Sequence, residues 1–194
     1  MKYGLGIIVA GISIVLLGGC ASTPNATGYL SNYEQLHAGK YLEKYWADTG
    51  SIQKVASPTI LLGTISVDKI SDQKGISVAE CITALKADLK RGGMISDQSL
   101  RAPIRLDLAI TEMTPGNAAQ RITIGGGYIH LQIEGKVVDV ESGRVLAAFA
   151  ERHTSTSAIG IKDLVGSAGP SLVKHLIKIS SERINKELSA TFSL

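Results

Sequence analysis

YIHLQIEGKVVDVESGRVLAAFAERHT, residues 128–154, is the stretch that decides the fold. Ile129, Leu131, Ile133 and Val137 alternate with Tyr128, His130, Gln132, Glu134 and Lys136, the period-two pattern of a strand with one covered face. Asp139, Ser142 and Gly143 interrupt the run, and a second apolar segment follows, so the chain doubles back as a β-hairpin. With the turn centred on Ser142 and Gly143, Leu146 faces Asp139, Ala148 faces Val137 and Ala150 faces Gly135. That register sets Leu146, Ala148 and Ala150 on the isoleucine side, where the small residues would let a helix approach closely.

Outward from the hairpin, IRLDLAITEM alternates Ile104, Leu106, Leu108 and Ile110 against Arg105, Asp107 and Thr111, another strand with one covered face. TILLGTISVD, residues 59–68, is a β-branched apolar run of strand length behind Pro58. Between these strands SVAECITALKADLKRGG reads as a helix: Ser77 and Glu80 form a capping box, Val78, Cys81 or Ile82, Leu85 and Leu89 line one face, and Gly92 and Gly93 end it. Cys81 is then a small core residue rather than a reactive thiol. A second helix follows in SLVKHLIKISSERINKEL, with Val173, Ile177, Ile184 and Leu188 on one stripe and Lys174, Lys178 and Lys186 facing water. These elements predict an α+β domain: a mainly antiparallel sheet of four or five strands with two long helices packed on one face.

The N-terminus carries an address. Met1, Lys2 and Tyr3 make a short positive start, and Gly4 to Leu17 follows without a charge. That run is shorter than the ~20 residues a spanning helix needs, so residues 1–19 read as a secretory signal. Taking Lys2 away with it lowers the formal net charge from +3 to +2, too little for nucleic-acid binding. ASTPNATG, residues 21–28, is small and polar and reads as a tether from Cys20, reaching at most about 30 Å. Residues 29–194 form the single folded domain. If Cys20 is modified, Cys81 is the one remaining cysteine and no internal disulfide can form.

The segment after the tether gathers Tyr29, Tyr33, Tyr41, Tyr45 and Trp46. Such rings either meet lipid headgroups or a partner, or pack across the domain as extra core; packing is the favoured reading. Leu30, Tyr33 and Leu36 recur at the spacing of a short docked turn.

Chemistry is thinly represented. His130 and His153 fall on one hairpin face, diagonal to each other and near Glu134 and Glu151, a set that could hold a metal but that a solvated sheet face explains as well. Asp107 and Glu112 lie on opposite faces of one strand, which disfavours a paired acid and base. VGSAG, residues 165–169, lacks the first glycine of a nucleophile elbow around Ser167, and Gly125 to Gly127 open a strand rather than a phosphate-binding helix. No catalytic residue, metal or cofactor is assigned.

Leu17, Gly18, Gly19 and Cys20 resemble the lipobox of bacterial lipoprotein precursors. The resemblance implies cleavage between Gly19 and Cys20, lipidation of Cys20, and, with Ala21 rather than Asp next, an outer-membrane destination. The lipobox, GYLSNYEQL, ITEMTPGNAAQR and IEGKVVDVESGRVLAAFAER are similar in order and spacing to small Gram-negative outer-membrane lipoproteins forming a family of unknown function. The domain also resembles, by fold analogy, small periplasmic domains of curli-secretion and TolB-type envelope proteins. The expected role is a nonenzymatic interaction or assembly module on the periplasmic side, held to the membrane by its lipid and meeting an envelope protein partner. Its candidate contact residues are Tyr29, Tyr33, Tyr45, Trp46, Tyr128, His130 and Gln132, with the loop from Ser155 to Pro170. Alternatives are a subunit of an oligomeric export pore and a metal-dependent or serine hydrolase.

Overall fold

Three apolar stretches separated by turn residues become the middle of a sheet, and what lies on either side of them determines its edges. The computed structural model describes residues 23–53, 59–67, 70, 77–98, 103–114, 129–155 and 168–192. Among these, the chain forms β1 (Lys44–Ala47), a single turn α1 (Thr49–Ile52), β2 (Ile60–Val67), α2 (Val78–Arg91), β3 (Ile95–Ser96), β4 (Ile104–Thr114), β5 (Ile129–Asp139), β6 (Val145–Ser155) and α3 (Ala168–Phe192). One sheet runs in the order β1-β6-β5-β4-β2-β3. The α+β class holds, but the sheet has six strands and is mixed: β2 is parallel to β3 and β4, and the other pairs are antiparallel. The parallel pairs follow from the helix between them, because α2 carries the chain back to the end of the sheet from which β2 started. The extra edge strand β1 comes out of the aromatic segment.

Both long helices cover one face, α3 lying along α2 and over β5 and β6. Ser77 caps α2 by accepting from the Glu80 amide, and Cys81, Leu85 and Leu89 are buried beneath it. Leu106, Leu108 and Ile110 of β4, Ile129, Leu131, Ile133 and Val137 of β5, and Val173, Ile177, Ile184 and Leu188 of α3 are fully enclosed with them.

The hairpin register differs from expectation by one residue. The loop is wider than two residues: the Asp139 amide donates to the Arg144 carbonyl (2.9 Å), and the Asp139 carboxylate accepts from the Ser142 amide and hydroxyl (2.7 and 2.6 Å). A bulge at Leu146 then shifts the ladder, so that Val137 faces Ala147, Gly135 faces Phe149 and Ile133 faces Glu151. A one-residue slip turns every side chain over. Ala147, Phe149, Glu151 and His153 therefore point to the helices, and Ala148 and Ala150 to the opposite face. The Phe149 ring fills the space above Gly135, where a Cβ would run into it and into Leu108. Gly135 thus admits a side chain from the next strand, not a helix.

Candidate functional site

The sheet face away from the helices is also covered. Residues 25–36 cross it as a strap, with Leu30 and Leu36 packing on Ala148 and Ala150 beside Tyr29, Tyr33 and Trp46. The turn expected from the Leu30, Tyr33 and Leu36 spacing is present, closed by the Leu36 amide donating to the Tyr33 carbonyl (3.1 Å). Beneath the strap lie Gln132 and Glu134, both fully buried. Gln132 reads the backbone of Asn25 in both senses, accepting from its amide (2.8 Å) and donating to its carbonyl (2.7 Å). Glu134 Oε1 accepts from Thr27 (2.7 Å), Gln132 (2.8 Å) and Thr111 (3.0 Å), and its Oε2 accepts from the Tyr33 hydroxyl (2.5 Å). The Tyr33 oxygen in turn accepts from the amides of Thr27, Gly28 and Leu30 at 3.1 to 3.2 Å. Gly28 takes φ 93, a conformation that suits glycine and lets these amides converge.

Around this centre each carboxylate has a cation. Arg105 grips Asp107 through Nε and Nη2, and Arg152 grips Glu112 through Nε (2.7 Å) and Nη2 (3.0 Å). A bulge between Ile110 and Glu112 breaks the alternation of β4, so Asp107 and Glu112 share the strap face instead of opposing faces. The hydrogen bond from Arg152 holds the Glu112 carboxyl below its ordinary range, outweighing partial burial. Burial pushes His130 below its usual value, with Glu112 opposing and Arg152 reinforcing the shift. Its Nδ1 sits 2.9 Å from the Thr154 hydroxyl.

The slipped register separates the two histidines considered as metal ligands. His130 is on the strap face, while His153 is on the helix face, 2.9 Å from Glu151. Among the described residues no group of three or more metal-ligating side chains converges. Arg183 of α3 reaches Glu151 (2.7 Å) and Glu43 (3.3 Å), and the Glu43 amide donates to Glu151 (2.7 Å). Glu187, one turn on, accepts from the amides of Lys40, Tyr41 and Leu42.

Of the expected contact residues, Tyr45 and Gln132 are buried and offer nothing to a partner in this arrangement. Tyr45 falls on the helix side of β1, its hydroxyl donates to Thr191 (2.8 Å), and burial pushes its phenol up to about 12. Tyr29, Tyr33, Trp46 and His130 are half-buried, so the aromatic segment mainly packs. Gly19, Cys20, Tyr128, Ser167 and the loop from 156 to 167 lie outside the described residues. Residues that sequence reading missed are Asn25, Thr27, Arg183 and Glu187. The spacing of Leu30, Tyr33 and Leu36 was the one signal that the polar face of β5 is covered.

Two hollows remain. A cleft of about 740 Å³ between α2, α3 and the segment at Lys40 and Tyr41 is lined by Lys40, Arg91, Lys178 and Lys186 with Asp88 and Glu182. Its Arg91 lies in the last turn of α2, where a basic side chain complements the negative end of the helix dipole. A smaller pocket of about 190 Å³ lies between the strap and β6, with Tyr29, Trp46 and Lys136 in its wall.

Compared with known proteins, the model of the family described as Domain of unknown function (DUF4410) matches residues 51–158. No curated protein matches. Among solved structures the chain is similar to the PelC dodecamer from Paraburkholderia phytofirmans, at 15% identity and a TM-score of 0.39 over 66% of this chain and 90% of that one. It is also similar to a minor lipoprotein from Acinetobacter baumannii (14%, 0.38, 68% and 93%). A hypothetical protein, CT253, from Chlamydia trachomatis is similar too (12%, 0.45, 68% and 98%). At these scores the likeness is loose and assigns this chain neither partner nor assembly.

Proposed function

The chain belongs to the DUF4410 family, whose function is unknown, and we propose that it is a lipid-anchored outer-membrane lipoprotein facing the periplasm, a nonenzymatic interaction or assembly module of the envelope. The observation that carries this reading is Leu17-Gly18-Gly19-Cys20 after a charged start and an uncharged run too short to span. Docking of the strap adds support. Asn25 is already bound to Gln132, so five Cα–Cα steps separate it from Cys20, a reach of at most about 18 Å. An anchor at Cys20 therefore holds the sheet next to the lipid surface. Among the described residues no helix is long and apolar enough to cross a membrane. Attachment by two or more acyl chains suffices, since each buried methylene contributes about 0.8 kcal/mol.

The nonenzymatic reading is supported by the strap face, where Asp107 and Glu112 are each held by an arginine and Glu134 by four donors. Among the described residues Val140 is the one large hydrophobic side chain left exposed, which favours a polar contact with a partner.

Metabolic labelling with a radioactive fatty acid, in a Gram-negative host expressing the full chain, tests the anchor. The expected result is a labelled product beginning at position 20 that sediments with outer membranes, and an unlabelled, uncleaved Cys20→Ala variant. An unmodified product beginning at Met1 would overturn the reading.

A further inference from the structure

The pocket between strap and sheet has a lining of unusual chemistry for its size. Tyr29 and Trp46 supply two aromatic side chains, Ser31, Asn32 and Gln35 supply hydroxyl and amide groups, and Lys136 supplies an ammonium. Ala148 forms part of its floor, and the alanine leaves the depth that a larger residue would fill. The ordering of the strap around Tyr33 and Glu134 fixes these walls before any ligand arrives, since Tyr29 and Leu30 lie between Gly28 and Tyr33 in the bonded turn. The side chains of Ser31 and Gln35 make no hydrogen bond among the described residues and are exposed. They are available to a ligand without loss of an internal partner.

The electrostatics narrow the choice. The Lys136 ammonium already occupies the face of Tyr29, 4.9 Å from the ring centroid, and would repel a second cation. Burial raises the Tyr29 phenol, and the Asp107 and Glu134 carboxylates nearby add to it, so negative charge also acts at this place. With both signs present, a free anion or cation gains little. A flat apolar ligand would satisfy the rings but leave the amides dry. The remaining class is uncharged, ring-sized, apolar on one face and hydroxylated at its edge.

We propose that this pocket binds one pyranose ring of an uncharged saccharide. Sugar C–H groups carry partial positive charge and meet the negative face of an aromatic ring, while the edge hydroxyls bond to amide and hydroxyl side chains. A volume of about 190 Å³ holds one ring and leaves its neighbours in solvent, so the ligand is a terminal or single residue of a glycan.

Trp46 is the only tryptophan in the chain, so its emission reports directly on occupancy. The full-length protein, in a detergent without a sugar headgroup, is titrated separately with N-acetylglucosamine, glucose and galactose, and saturation-transfer NMR records contact with the ring protons. A saturable change in emission with at least one sugar, accompanied by transfer, is expected. Gln35→Ala, at an exposed position, and Ala148→Leu, which fills the floor, each weaken binding by about tenfold or more, equivalent to about 1.4 kcal/mol. If Ala148→Leu fails to fold, Ser31→Ala combined with Gln35→Ala gives the same test. Absence of a saturable response to all three sugars overturns the proposal. So does an equal response in the variants, or binding of indole or tetramethylammonium with all three sugars excluded.

Discussion

At the scale of single residues the strap hangs on Tyr33, whose oxygen accepts from three backbone amides while donating to a fully buried carboxylate. Tyr33→Phe keeps the ring but leaves those amides, and one Glu134 oxygen, without this partner. An unmet buried group costs about 1–3 kcal/mol, and here most of the loss falls on a local opening of the strap rather than on the core. Native-state hydrogen exchange is expected to quicken at Thr27, Gly28 and Leu30 while the β4 and β5 amides keep their protection; uniform quickening across the sheet would contradict it. Gly135 is the opposite case. Adding a methyl there meets the Phe149 ring and Leu108, both fully buried, so Gly135→Ala should lower global stability by about 1–3 kcal/mol through overpacking, read as a fall in the urea midpoint. An unchanged midpoint would mean that Phe149 does not occupy the space above the glycine.

At the scale of elements, what the sequence made legible was periodicity, and what it hid was interruption of periodicity. The stripes of α2 and α3 and the apolar faces of β4 and β5 lie where the alternation of Leu, Ile and Val puts them. The hairpin register did not follow, because Asp139 caps a wider turn and Leu146 bulges, and neither leaves a mark in the apolar pattern. The bulge after Ile110 likewise moved Glu112 across the sheet to meet Arg152 on β6. This three-strand arrangement sets an acid response with a definite sign. Glu112 is more acidic folded than unfolded, so its contribution is present above the ordinary carboxyl value near 4.5 and lost as pH falls through the folded value. His130 is less basic folded, so the unfolded chain takes up its proton first and stability declines as pH drops below about 6.5. Urea midpoints recorded from about pH 8 to about pH 3 should fall in both windows; His130→Asn should flatten the upper and Glu112→Gln the lower. A midpoint that rises on acidification to pH 5 would reverse the assignment for His130.

At the scale of the whole molecule, the segment leading into β1, the sheet and α3 are joined at one buried carboxylate. Glu151 reaches the helix face only because of the slipped register, and there it meets Arg183 from α3 and the Glu43 amide leading into β1. Arg183 also bonds the Tyr41 carbonyl and Glu43, and Glu187 gathers the amides of residues 40–42. The partners stand more than a hundred positions apart in the chain, so no local pattern announces them, whereas the tertiary ladder brings them together at one point. Removing one member of such a set strands a charge: Arg183→Met leaves Glu151, fully enclosed, without its guanidinium, a loss of about 3–5 kcal/mol. Removing the stranded charge as well should recover much of that loss, because Glu151→Leu added to Arg183→Met replaces an ion pair by apolar volume. The double variant is therefore expected to be more stable than Arg183→Met alone, and its departure from additivity in a urea double-mutant cycle measures the coupling between β6 and α3. If the two losses simply add, Glu151 and Arg183 act independently, and the join between residues 40–43 and α3 rests on Glu187 instead.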